Sequence, residues 1–133
     1  MTGPSRDRLA VLTVTKQGIG LGEKLLAARP EAELWLPDKY EGYSGPRYRY
    51  FDGRLGDLLP KIFHDYTGFV FVMATGIVVR LIADLIKDKR FDPAVVVMDI
   101  RGKFAISLVS GHLGGANELA REVAEIVGAI PVV

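Results

Sequence analysis

Apolar and polar positions alternate along this chain in blocks that switch between strand and helix periods. Leu9 to Thr15 is an apolar, β-branched run of strand length. Gly18, Gly20 and Gly22 then predict a turn, and Glu23 to Arg29 a short helix that stops before Pro30. Ala32 to Leu36 reads as a second strand anchored by Trp35. Residues 37–50, rich in proline, glycine and tyrosine, read as a surface excursion. Leu55, Leu58, Leu59, Ile62, Phe63 and Tyr66 recur at helical spacing. Phe69 to Met73 is a continuous apolar strand of the kind buried on both faces.

Ile77 to Ile86 is apolar on nearly every side except at Arg80 and Asp84, which predicts a helix packed by a sheet and by something else as well. Ala94 to Met98 is another buried strand. Asp99 to Lys103 has turn chemistry, and Phe104 to Leu108 resumes a strand, so the short connection predicts an antiparallel hairpin. Glu118 to Val127 is a helix closed by Gly128, and Ile130 to Val133 starts a last strand.

Strands and helices alternate, which predicts an α/β fold: a three-layer, Rossmann-like sandwich with a mostly parallel sheet that includes one antiparallel hairpin strand. Residues 1–8 read as a disordered tail and residues 9–133 as a single domain, the N-terminal part of a longer protein. A chain of 133 residues with 49% hydrophobic content can bury a true core. A net charge of +1 gives no electrostatic ground for nucleic acid. The best membrane candidate, Phe69 to Ile86, is interrupted by Thr75, Gly76, Arg80 and Asp84, so no membrane partner is expected. The absence of cysteine excludes disulfides and thiolate chemistry. The polar start from Met1 to Arg8 has no secretory h-region, and a cytoplasmic location follows by default.

Three segments carry candidate chemistry. Ala74-Thr75-Gly76 joins a central strand to a helix, where Thr75 can cap and bare amides can meet an anion. The same residues also suit an ordinary strand-to-helix turn. Ser110 to Asn117 holds Gly111, Gly114 and Gly115 around His112, an imidazole that titrates near neutral pH. Three glycines in eight residues bare main-chain amides to a ligand or permit a tight packing contact. Lys87 to Pro93 is basic through Lys89 and Arg90, either as a solvated helix end or as a rim for carboxylates. Gly18-Ile19-Gly20, with Asp38 downstream, partly imitates a dinucleotide fingerprint, but Glu23 stands where the third glycine belongs. His64 reads as a surface residue. The two histidines lack ligand spacing, so no protein metal site is expected.

The stretch from Phe69 to Val132 resembles the N-terminal region of the cobalt-precorrin-5A hydrolases. The matching words are Met73 to Arg80, Lys87 to Arg90, Asp92 to Val97, Asp99 and Gly102, Ser107-Leu108, and Ser110 to Asn117. Residues before 69 match only in outline. The resemblance implies an enzyme of cobalamin biosynthesis that opens a δ-lactone on a cobalt-bound, carboxylate-rich tetrapyrrole and releases acetaldehyde. It implies no cofactor of the protein's own, since cobalt arrives with the anionic corrinoid substrate. It also implies a further C-terminal domain. On that reading His112 is the candidate general base. Amides of Gly114 and Gly115, or of Thr75 and Gly76, would hold the oxyanion. Arg80, Lys89 and Arg90 would meet substrate carboxylates, with Ser110, Gly111 and Asn117 completing the binding set.

Two other readings stay open: a non-catalytic corrinoid-binding domain, and a nucleotide-binding α/β module. The hairpin also sets Thr75 and His112 at opposite ends of the sheet. Unless the Ser110 loop folds back to bring them into one pocket, one of them would then face a dimer partner or another domain.

Overall fold

The computed structural model describes residues 8–110 and 115–133. The elements run β1 (Leu9–Thr13), α1 (Lys16–Ala28), β2 (Glu33–Pro37), β3 (Tyr48–Phe51), α2 (Leu55–Ile62), β4 (Gly68–Val72), α3 (Thr75–Ile82), β5 (Ala94–Met98), β6 (Phe104–Val109), α4 (Ala116–Val127) and β7 (Ile130–Val132). They form one seven-stranded sheet in the order β3-β2-β1-β4-β5-β6-β7. The first five strands pair in parallel; β6 runs against β5, and β7 lies parallel to β6. The α/β class and the antiparallel hairpin after Met98 are as the pattern predicts.

Every residue of β1, β4 and β5 is buried, which explains their unbroken apolar sequences. One face of the sheet packs on α1 and α4 through Ile19, Leu25, Leu119 and Val123. The other packs on α2 and α3 through Leu59, Ile62, Val78 and Ile82. No helix among the described residues is long and apolar enough to cross a membrane.

Four expectations need correction. The three glycines after β1 lie inside α1, which starts at Lys16 behind the Thr15 cap rather than at Glu23. A Cβ on Gly18 would stand 2.2 Å from Thr13 Oγ1, and one on Gly22 2.7 Å from Leu34 Cδ1. Close seating of the helix on the sheet therefore outweighs the low helix propensity of glycine. Within the supposed surface excursion, Tyr48–Phe51 forms the edge strand β3, whose pairing with β2 supplies what its local sequence lacks. The helix from Leu55 contains Pro60 and ends at Ile62, continuing as a 3₁₀ turn over Phe63–Asp65. Finally, α3 ends at Ile82, and Ile77 and Val79 on it are half exposed, so nothing among the described residues covers its outer face.

Candidate functional site

The predicted site residues fall on the two opposite edges of the sheet. At the carboxyl edge, β1 leads outward to β2 and β3 while β4 returns on the other side of β1. Such a reversal of strand order opens a crevice beyond the strand ends. Two helices begin there. The Thr15 side chain accepts a hydrogen bond from the Gly18 N–H at 3.3 Å and so caps α1. Helix α3 is capped differently from expectation. Its N-cap is Ala74, no side chain caps it, and Thr75 is the first helical residue. The Ala74 carbonyl accepts from the N–H groups of Ile77 and Val78 at 3.1 and 3.3 Å. Among the described residues nothing accepts from the N–H of Thr75 or Gly76. A Cβ on Gly76 would meet nothing within 4 Å, so neighbouring packing does not require glycine there.

The β5–β6 turn closes the same edge. Asp99 Oδ1 accepts from the N–H groups of Lys103 and Phe104 at 2.9 and 2.8 Å, and Oδ2 accepts from Arg101 N–H at 3.2 Å. Burial opposes ionisation of Asp99, but the amides outweigh it and hold the carboxyl below its ordinary range.

Arg80 lies further along α3 and lines a groove of about 430 Å³ between α2 and α3. Arg54, the N-cap residue of α2, shares it, with Ile77, Leu81 and Leu85 as apolar wall and Asp84 beside them. Neither arginine forms an ion pair among the described residues. Sequence reasoning missed Arg54, because no local spacing reveals that α2 and α3 are neighbours.

The amino edge holds the rest. Because β6 is reversed, Val109 pairs with Val95 at the start of β5, and Ser110 emerges there. Ser110 (φ 59°) and Gly115 (φ 85°) both take left-handed backbone. The Ser110 carbonyl accepts from Ala116 N–H at 3.1 Å, drawing the two ends of this segment together. Gly111, His112 and Gly114 lie outside the described residues. Left-handed geometry at a non-glycine residue costs of order 1–3 kcal/mol and collects at functional loops. Asn117 Oδ1 accepts the Ser107 hydroxyl at 2.7 Å, which anchors the first turn of α4 to β6. Beside Gly115 is a hollow of about 200 Å³, lined in part by Arg8, Thr67 and Glu118.

Lys89 and Arg90 lie in the α3–β5 connection at this same edge. Arg90 is held bidentately by Asp88, with contacts from 2.7 to 3.2 Å, and sits over the Phe91 ring. Asp92, whose side chain is 1% exposed, organises the connection. Its Oδ2 accepts from the N–H groups of Lys87 and Asp88 at 2.7 and 3.0 Å, and its Oδ1 lies 3.1 Å from His64 Nε2. His64 is half exposed, as its sequence position implied, but its tie to a buried carboxylate was not legible.

Five-residue strands at about 3.3 Å per residue set the two edges roughly 15 Å apart. Thr75 and Gly76 therefore lie across the sheet from Ser110, Gly115 and Lys89. Gly18, the first glycine of the fingerprint-like segment, is accounted for by helix–sheet packing, as is Gly22 beyond it.

Comparison with known proteins agrees with the resemblance and extends it. The family model described as "Cobalamin synthesis G N-terminal" matches residues 57–133. The chain is 40% identical over 130 residues to the cobalt-precorrin-5A hydrolase of Priestia megaterium and 41% identical over 129 residues to that of Salmonella typhimurium. Both matches take in 96% of this chain, so the likeness reaches well before Phe69, and 35% of the relative. A solved structure of a cobalamin biosynthesis protein G homolog from Sulfolobus solfataricus superposes with a TM-score of 0.72 at 24% identity, over 95% of this chain and 36% of the other. That likeness bears on the fold, and the chain spans about a third of the length of these relatives. With more than half of it matched by the family model and nearly all of it aligned to curated members, the chain belongs to the cobalamin synthesis G N-terminal family.

Proposed function

We propose that the chain is the N-terminal part of a cobalt-precorrin-5A hydrolase and works in the cytoplasm, opening the δ-lactone of a cobalt-bound tetrapyrrole with release of acetaldehyde. The observation that carries this reading is 40% identity to a cobalt-precorrin-5A hydrolase over 96% of the chain. On this reading His112 takes the proton of the attacking water, the acyl C–O bond breaks, and the ring opens to a carboxylate and an alcohol. The two-carbon unit then leaves as acetaldehyde: the alcohol O–H gives up its proton, the C–C bond to the macrocycle breaks, and the macrocycle carbon keeps the electron pair and takes up a proton. Gly114 and Gly115 offer amides for the oxyanion. Lys89 and Arg90 would meet substrate acetate and propionate groups from the same edge, with Ser110, Gly111 and Asn117 shaping the loop. Support comes from the left-handed residues that bracket this segment, Ser110 and Gly115. Thr75, Gly76 and Arg80 would serve a separate subsite at the other edge, now joined by Arg54. No cofactor of the protein's own is proposed, because the cobalt is part of the substrate.

The test is His112→Ala in the full-length enzyme, followed by acetaldehyde release. Loss of a general base lowers the rate by about 10²–10⁴, and an undiminished rate removes the assignment. A second reading, a corrinoid-binding domain whose chemistry resides elsewhere, is favoured by the chain's spanning only 35% of its relatives. Titrating the 133-residue chain with the cobalt corrinoid separates the two: binding without turnover supports the binding domain.

A further inference from the structure

The layer of helices on the α2–α3 side of the sheet is incomplete. Helices α2 and α3 cover β1, β4 and β5 there, whereas β6 and β7 have a helix, α4, only on the opposite face. Register fixes which side chains point into the gap. Val97, in the α2–α3 core, pairs with Ile106, so Phe104 and Ile106 share its face. Ile130 and Val132 of β7 pair with Phe104 and Ile106 and stand on that face too. Their exposures are high for apolar sheet residues: Phe104 43%, Ile130 59% and Val132 42%.

Helix α3 supplies a wall to this floor. Its buried stripe is Val78 and Ile82, and the side bearing Ile77, Arg80, Leu81 and Asp84 faces the groove toward α2. By helical geometry Val79 lies on the remaining side, toward β6. It is 47% exposed, and Ile86, past the end of the helix, is 37% exposed. Floor and wall form one apolar slot. Two strands about 4.8 Å apart give it the width of a single helix, about 10 Å. A contiguous apolar patch of this kind marks an interaction surface.

We propose that this slot seats a helix from the remaining two-thirds of the family's polypeptide, whether continuous with this chain or supplied as a separate one. This inference rests on the family's length and not on the hydrolase reading. The relatives are almost three times as long as the region matched here, so they hold the residues to fill the slot. Pairing of a second copy along the sheet edge is disfavoured. Ile130 N–H points inward to Lys103 O at 2.8 Å, so Pro131, the centre of the three-residue edge strand, turns its donorless nitrogen outward. The connections at the two ends of this floor carry cations, Arg101 in the β5–β6 turn and Lys87 after α3, with no ion pair to either among the described residues. The occupant is therefore an amphipathic helix whose apolar stripe is flanked by carboxylates.

Carbene footprinting of two intact proteins tests this: the present chain alone and the full-length Priestia megaterium relative. In this chain Val79, Phe104, Ile130 and Val132 should label strongly at every protein concentration. In the full-length relative the aligned side chains should lose labelling, down to the level of a buried core residue such as Val96. Equal labelling in both proteins overturns the proposal. So does protection in this chain that grows with its own concentration, because a second copy then covers the slot.

Discussion

Replacing Gly18 and Gly20 separately with alanine sets helix propensity against packing two residues apart on one helix. Alanine is favoured over glycine within a helix by about 1 kcal/mol. At Gly20 a Cβ meets nothing within 4 Å, so the full gain should appear and Gly20→Ala should be stabilised by up to about 1 kcal/mol. At Gly18 the new methyl would sit 2.2 Å from Thr13 Oγ1 and 3.1 Å from Val72 Cγ1. Thr13 is fully buried, and its hydroxyl donates to Thr15 O at 3.3 Å, so it has little room to move. Overpacking of this kind costs about 1–3 kcal/mol, and displacing the hydroxyl forfeits a further bond worth about 1 kcal/mol. After the propensity gain, Gly18→Ala should be less stable than the parent by about 1–3 kcal/mol. Urea titration followed by circular dichroism reads both variants, and the slope of the transition should stay constant. For a chain of this size the two midpoints in a thermal scan should differ by roughly 6–16 °C. Thr13→Ala should recover part of the Gly18→Ala loss, since it removes the nearest clashing atom. Equal stability of Gly18→Ala and Gly20→Ala would refute the packing account and reopen a ligand-binding role for the segment.

Three further outcomes follow from the polar contacts. Asp92→Ala leaves the amides of Lys87 and Asp88 without their acceptor and should destabilise the chain by about 2–4 kcal/mol, read in the same urea titration. The Asp99 carboxyl, lowered in the folded state, contributes stability that is present above its unfolded value, about pH 4, and is lost as pH falls through the folded value. Asp99→Asn should flatten that acid limb in unfolding curves taken at successive pH values. Two of the five tyrosines should ionise late in an ultraviolet titration. Burial, with Glu33 accepting from Tyr66 and Glu23 from Tyr48, pushes both phenols up to about 12. Their contribution to stability is fully present below about pH 10 and is lost as pH rises through 12, and Tyr66→Phe should remove one of the two late steps.

Much of the architecture was legible because it is encoded locally. A strand buried on both faces must be apolar at every position, so β1, β4 and β5 announce themselves. Asp99 and Gly102 mark the hairpin by turn chemistry alone, and that one local signal already separates Thr75 from the Ser110 segment. The family words from Met73 to Arg80 and Ser110 to Asn117 were equally readable, since identity of order needs no coordinates. Elsewhere the local signal misled. Three glycines read as a turn, yet Gly18 and Gly22 sit where α1 presses on Thr13 and Leu34. The sequence Tyr48-Arg49-Tyr50-Phe51 looked like loop, because an edge strand takes its stability from the neighbour it pairs with.

By itself, then, the sequence determined which segments are strands and helices, the reversal after Met98, the family, and the candidate residues. Only the tertiary structure decided which of those residues meet. The pairing of Arg54 with Arg80 in one groove and of His64 with buried Asp92 joins positions 26 and 28 residues apart. The reason is physical. Hydrophobic period and turn chemistry act between near neighbours in the chain, whereas strand order and the side on which each helix crosses the sheet are settled by burying the whole core at once.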